Sequence, residues 1–299
     1  MCKLVQMTHV CQYWRSTLVS CPHLWSSIFV KTDHKDFVAA CLARSQGLPL
    51  TVRLDLKYGD YLNFPKCTRT RYERSSGIRI NKDNPSRYHT AIDPLLGGDH
   101  AQRIRKLDVH LDILDDYTEK RLNEYFKDAL DDFKFFALPL PILESFSFCV
   151  DHGFQSYTHL GFPGQLFHWG NFPPTELRHL ALHGCYGGTI RAVRNLTSFE
   201  LAAEDGSDSI PLNQHTFLPF ISGSPSLVSL HLLRCSFPGR AQLSRVTPAK
   251  LPELKSLQLM EIEGLSGFPG LIEVPAFKAL SSLLSRLETL SLSPTPPAS

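Results

Sequence analysis

Apolar and polar positions along the chain fall into one recurring phrase: an apolar residue, two variable residues, a second apolar residue, one variable residue and a third apolar residue. It begins at Ile104 (with Leu107 and Val109), Leu143 (Phe146, Phe148), Leu177 (Leu180, Leu182), Leu196 (Phe199, Leu201), Leu227 (Leu230, Leu232), Leu254 (Leu257, Leu259) and Leu287 (Leu290, Leu292). Successive copies start 39, 34, 19, 31, 27 and 33 residues apart, so the repeated unit is uneven and carries inserted loops. The last two apolar positions are two residues apart and point to one side of a short strand, while the first anchors the turn leading into it. One strand cannot bury that side alone. Copies stacked as a parallel sheet can, with the intervening residues covering their apolar side.

The spacers alternate with the phrases as that arrangement requires. Leu122, Phe126, Ala129, Leu130 and Phe133 share one face of a helix whose start is marked by Asp115, Asp116 and Glu119. Phe217, Phe220 and Ile221, before Gly223, Ser224 and Pro225, repeat the pattern, as do Phe277, Leu280 and Leu284. Upstream, Leu50, Val52, Leu54 and Leu56 alternate with Thr51, Arg53 and Asp55, which predicts a half-buried strand at the start of the sheet. Phe37, Ala40, Cys41 and Leu42 suggest a helix ending near Gly47, and residues 26–30 a short extended segment. Cys185 and Cys235 fall where the leucine-rich-repeat pattern places Asn or Cys, and Ile262 takes that place in a third copy. The fold expected is α/β: an irregular leucine-rich-repeat-like solenoid with a parallel sheet on the concave side and helices and loops on the convex side. Chance recurrence of leucine pairs in another α/β protein is the alternative.

At 299 residues the chain can bury a large core, and 42% hydrophobic with 20% charged residues is ordinary for a soluble globular protein. The net charge of +2 gives no reason to infer nucleic acid as a partner. A basic stretch at 66–89 carries Lys66, Arg69, Arg71, Arg74, Arg79, Lys82 and Arg87, but stacking aromatics beyond Tyr72 and Tyr88 are lacking, which favours a solvated insertion. Neither a signal-peptide stretch nor about 18 consecutive apolar residues occurs, so no membrane association is expected. Eight scattered cysteines without a Cys-x-x-Cys pair fit reduced thiols and a cytoplasmic or nuclear location. The organisation expected is a small helical segment at 1–30, a connecting and capping region at 31–103, the repeat region at 104–293 and a loose, proline-rich tail at 294–299.

Residues 10–25 read VCQYWRSTLVSCPHLW, in which Val10, Trp14 and Leu18 lie four apart on one side of a helix that ends before Pro22. Leu24 and Trp25 then form an apolar plug. On physical grounds this is a small helical unit. Val-Cys-x-x-Trp-Arg followed by Pro-x-Leu-Trp also resembles the C-terminal half of an F-box, in the style of basidiomycete fungal F-box proteins that continue into irregular leucine-rich repeats. The resemblance implies docking on a Skp-type adaptor, and through it a cullin scaffold, while the repeats select a protein for ubiquitination. It assigns Val10, Cys11, Trp14, Leu24 and Trp25 to the hydrophobic signature. The first half of the module, opening with Leu-Pro and a helix, would precede Met1, so the chain is expected to be incomplete or its adaptor contact weak or lost. A free-standing repeat scaffold is the alternative to the ligase subunit.

No phosphate-loop, dinucleotide, zinc-protease or esterase signature occurs, and no catalytic role, cofactor or metal is expected. The variable positions of the phrases instead define a face for an unidentified target protein, carried by Lys106, Asp108, His110, His179, His183, Glu200, Ser229, His231 and Gln258. His179 and His183 lie four residues apart on one strand, about 13 Å, too far to share one ion. Histidine titrates near neutrality, so partner affinity is expected to change between about pH 5 and 7.

Overall fold

The computed structural model describes residues 11–30, 35–57, 94–95, 99–113, 140–152, 175–184, 193–203, 209–212, 214–237, 247–264 and 272–273. Six of the seven phrases fall within these residues, and each supplies one strand of a single sheet: β3 (Ile104–Ile113), β4 (Ser145–His152), β5 (His179–His183), β6 (Ser198–Ala202), β8 (Ser229–Leu233) and β11 (Ser256–Met260). Two earlier strands, β1 (Ser27–Val30) and β2 (Leu50–Lys57), extend it to eight. The order is β1-β2-β3-β4-β5-β6-β8-β11, and every pairing is parallel. The phrase at Leu287, the helices expected near residues 122–133 and 277–284, the basic stretch and the tail lie outside the described residues.

Register converts the sequence phrase into packing. Leu107, Phe146, Leu180, Phe199, Leu230 and Leu257 are successive partners across the sheet, and Ile28 and Val52 continue their column toward β1. Val109, Phe148, Leu182, Leu201, Leu232 and Leu259 form a second column, continued by Leu54 and Val30. The anchors Ile104, Leu143, Leu177, Leu196, Leu227 and Leu254 are all buried, and with the columns they form one continuous apolar core, against which the half-buried Leu257 and Leu259 pack. Full burial of each such side chain contributes about 1.5–3 kcal/mol, so the columns dominate the fold's stability.

Two backbone devices repeat with the phrase. Leu140-Pro141-Ile142-Leu143, Ser224-Pro225-Ser226-Leu227 and Leu251-Pro252-Glu253-Leu254 each close a turn in which the anchor N–H donates to the carbonyl three residues back, at 3.1, 3.0 and 3.4 Å. Proline pre-sets the second residue of such a turn. At the start of the following strand one carbonyl then accepts two N–H groups from the next copy. Glu144 O accepts from Arg178 and His179, Arg178 O from Thr197 and Ser198, Thr197 O from Val228 and Ser229, and Val228 O from Lys255 and Ser256, all within 2.8–3.1 Å. Recurrence of this bifurcated bond fixes the register of each new strand on the last.

Helix α4 (Gln214–Ser222) packs Phe217, Phe220 and Ile221 into the core, as their spacing indicates. The Phe199 and Phe220 rings meet edge to face at 4.9 Å, joining that helix to β6. After β8 and β11 the chain turns through left-handed residues Arg234 and Glu261, whose side chains form an ion pair; Gly184 takes the same place after β5. Cys235 follows, fully buried, with its thiol donating to Leu233 O at 3.6 Å. Two small parallel pairs outside the main sheet, β7 (Ile210–Pro211) with β9 (Cys235–Ser236) and β10 (Ala249–Lys250) with β12 (Ile272–Glu273), were not foreseen from the sequence. Two-residue strands leave too little alternation to read.

The N-terminal segment is built into the same core. Helix α1 (Gln12–Val19) is capped by Cys11, whose Sγ accepts the Trp14 N–H at 3.4 Å, and α2 (Pro22–Trp25) begins at a proline, which needs no N–H there. Trp25 is buried at 1% exposure, its Nε1 donates to Leu18 O at 2.8 Å, and the Arg44 guanidinium lies 4.3 Å from its ring centre. Helix α3 (Lys35–Arg44) buries Val38, Cys41 and Leu42. Beyond it Arg103 ties this end to the sheet by donating to Leu48 O and Ser45 Oγ at 2.8 and 2.7 Å.

Candidate protein-recognition face

Strand alternation that sends the columns inward sends three rows of variable residues to the other face. The first row runs Ser27, Thr51, Lys106, Ser145, His179, Ser198, Ser229, Ser256, and the second Phe29, Arg53, Asp108, Ser147, Ala181, Glu200, His231, Gln258. The third runs Asp55, His110, Cys149, His183, Ala202, Leu233, Met260. Lys106, Asp108, His110, His179, His183, Glu200, Ser229, His231 and Gln258 therefore share one face. All nine are exposed or half-buried. Ala202 differs from the expectation that every variable position projects outward, since it is buried, its methyl too short to clear its neighbours.

Charge is unevenly distributed over this face. Its β2–β6 part holds Arg53, Lys106, Asp108, Asp55, His110, His183 and Glu200, whereas β8 and β11 present Ser229, His231, Leu233, Ser256, Gln258 and Met260. Two histidines are tied to carboxylates across strands: His110 Nδ1 lies 3.3 Å from Asp55 Oδ1, and His183 Nε2 lies 3.6 Å from Glu200 Oε1. His231 Nε2 is 2.9 Å from Ser229 Oγ, two residues back on its own strand. Arg53 approaches the Phe29 ring at 5.5 Å. Arg53, Asp55 and Phe29 were missing from the site residues expected from sequence, although the alternation at residues 50–56 already marks Arg53 and Asp55 as lying opposite the core.

The five residues of the N-terminal signature do not act as one group. Val10 lies outside the described residues. Cys11 serves as a helix cap, Trp25 as a core anchor, and Trp14 and Leu24 remain 47% and 40% exposed. The apolar plug expected from Leu24 and Trp25 together is thus divided, because adjacent residues of the short helix α2 point different ways. Tyr13 is 77% exposed beside Trp14, so three of the six large exposed apolar side chains among the described residues lie on the two N-terminal helices, whereas Phe29 belongs to the open face of the sheet.

Among the described residues no three His, Cys, Asp or Glu side chains are placed to hold a metal ion, and no helix is long and apolar enough to cross a membrane. Compared with known proteins, the chain matches no family model, no curated protein and no solved structure.

Proposed function

We propose that the chain is a non-catalytic binding subunit: an irregular leucine-rich-repeat-like solenoid that selects a target protein on its open face and is presented by its N-terminal segment to a cullin-type ubiquitin ligase through a Skp-type adaptor. The supporting observation is the joint presence of two unlike features, a broad face of mixed polar residues and the exposed Tyr13, Trp14 and Leu24 on the two N-terminal helices. Extended mixed faces suit protein recognition, and exposed Trp and Tyr on a rigid support suit a small apolar contact. Tyr13, Trp14 and Leu24 are the adaptor contacts in this reading, with Trp25 holding them in place.

A second reading, a free-standing scaffold, is favoured by one observation: Trp25 and β1 continue directly into the sheet's core, as a capping element does. Binding of the full chain to a purified Skp-type adaptor separates the two. The ligase reading expects a complex that Trp14→Ala and Leu24→Asp abolish while far-UV circular dichroism stays unchanged. Failure of the unaltered chain to bind the adaptor leaves the scaffold reading.

A further inference from the structure

The third row of the open face brings Asp55, His110, Cys149 and His183 into line, and Glu200 of the second row reaches His183. Cys149 on β4 has His110 of β3 and His183 of β5 as its register partners on either side, each about 4.8 Å away strand to strand. Each imidazole is in turn tied to a carboxylate on its far side, His110 to Asp55 of β2 and His183 to Glu200 of β6. Register thus sets a thiol between two imidazoles that each lie near a carboxylate, and a base beside a thiol, oriented by a carboxylate, is what activates a sulfur nucleophile. Cys149 is half-buried on the open face and is in no disulfide. The other described cysteines differ: Cys11 is an exposed helix cap, Cys21 lies between α1 and α2, and Cys41 and Cys235 are buried.

We propose that Cys149 is a nucleophilic thiol poised for exchange with a low-molecular-weight disulfide, so that the open face carries a site of reversible S-thiolation. In the exchange the Sγ proton passes to a flanking imidazole, and the Cys149 thiolate attacks one sulfur of the disulfide. The new Sγ–S bond forms as the old S–S bond breaks, and the departing thiolate takes up the proton held by the imidazolium. The disulfide is itself the oxidant: Cys149 ends oxidised in the mixed disulfide, and one sulfur of the small disulfide ends reduced as a free thiol. Among the described residues the titratable register neighbours of the thiol are His110 of β3 and His183 of β5, with Asp55 and Glu200 beyond them; the two outer carboxylates act through the histidines they approach. An adduct at Cys149 stands in the middle of the row and obstructs a partner there. That consequence rests on the recognition role proposed above, whereas the modification itself does not.

The test incubates the full chain with oxidised glutathione at pH 7 and follows each cysteine by peptide mass mapping. Cys149 is expected to form its mixed disulfide severalfold faster than Cys11 although Cys11 is more exposed. The double variant H110Q/H183Q is expected to erase that advantage and leave the Cys11 rate unchanged. A Cys149 rate no greater than that of Cys11, or one the double variant does not alter, overturns the proposal. Should that variant fail to fold, the comparison within the unaltered chain decides alone.

Discussion

Strands β8 and β11 arise from nearly the same words, Leu227, Leu230, Leu232 and Leu254, Leu257, Leu259, yet their leucines meet different surroundings. Leu230 and Leu232 are buried, while Leu257 and Leu259 are only half-buried. Strand β8 lies between β6 and β11; β11 is paired with β8 alone among the described strands. An identical phrase therefore carries different energy according to its place in the stack. Burial belongs to the neighbours as much as to the residue.

The largest expected break in this comparison is at the centre of the column. Leu230→Ala should lower unfolding free energy by about 3–4 kcal/mol and Leu257→Ala by about half as much, measured by urea denaturation. Equal losses would contradict a position-dependent core. Gly184→Ala should cost about 2–3 kcal/mol, because Gly184 sits at φ +68° and an added Cβ would meet Val150 O at 2.1 Å. Arg234 and Glu261, at the same place after β8 and β11, tolerate φ of 54° and 52°. Replacing Arg234 with Gly should therefore change stability by less than about 1 kcal/mol, which thermal unfolding can check.

Smaller effects test the links between copies. Ser224→Ala removes the Oγ that accepts the Leu196 N–H at 3.1 Å in a buried setting, and should cost about 1–2 kcal/mol in the same denaturation assay. At Cys235, desolvation pushes the thiol up to about 12, only partly offset by its hydrogen bond to Leu233, against an ordinary value of 9.0. The unfolded chain then loses that proton first as pH rises, so this contribution is intact below pH 9 and is lost progressively between about 9 and 12. Cys235→Ala should flatten the alkaline fall in stability over that window, read from denaturant midpoints at successive pH values.

Much of the sheet was legible in the chain because the phrase fixes both strand position and facing side: Leu180, Leu230 and Leu257 line up in one column as their spacing required. The residues opposite them could be named for the same reason. Cross-strand partnerships could not, since Asp55 and His110 lie 55 residues apart and meet only through the β2–β3 register. The proline turns before Leu143, Leu227 and Leu254 were readable in principle as a Pro two residues before the anchor. At the N-terminus, spacing of four between Trp14 and Leu18 suggested a shared buried side, but only Leu18 is buried. A two-turn helix offers little length over which to bury more than one such residue.

The central claim, that the phrases stand side by side in register, is tested most directly by a distance across them. Lys106 and Ser256 begin and end a run of five strand-to-strand steps through Ser145, His179, Ser198 and Ser229. Genetically encoded spin labels at positions 106 and 256, read by double electron–electron resonance, should give one narrow distribution near 24 Å, five spacings of about 4.8 Å. A broad distribution, or one centred beyond about 35 Å, would contradict the parallel stack and the face built on it.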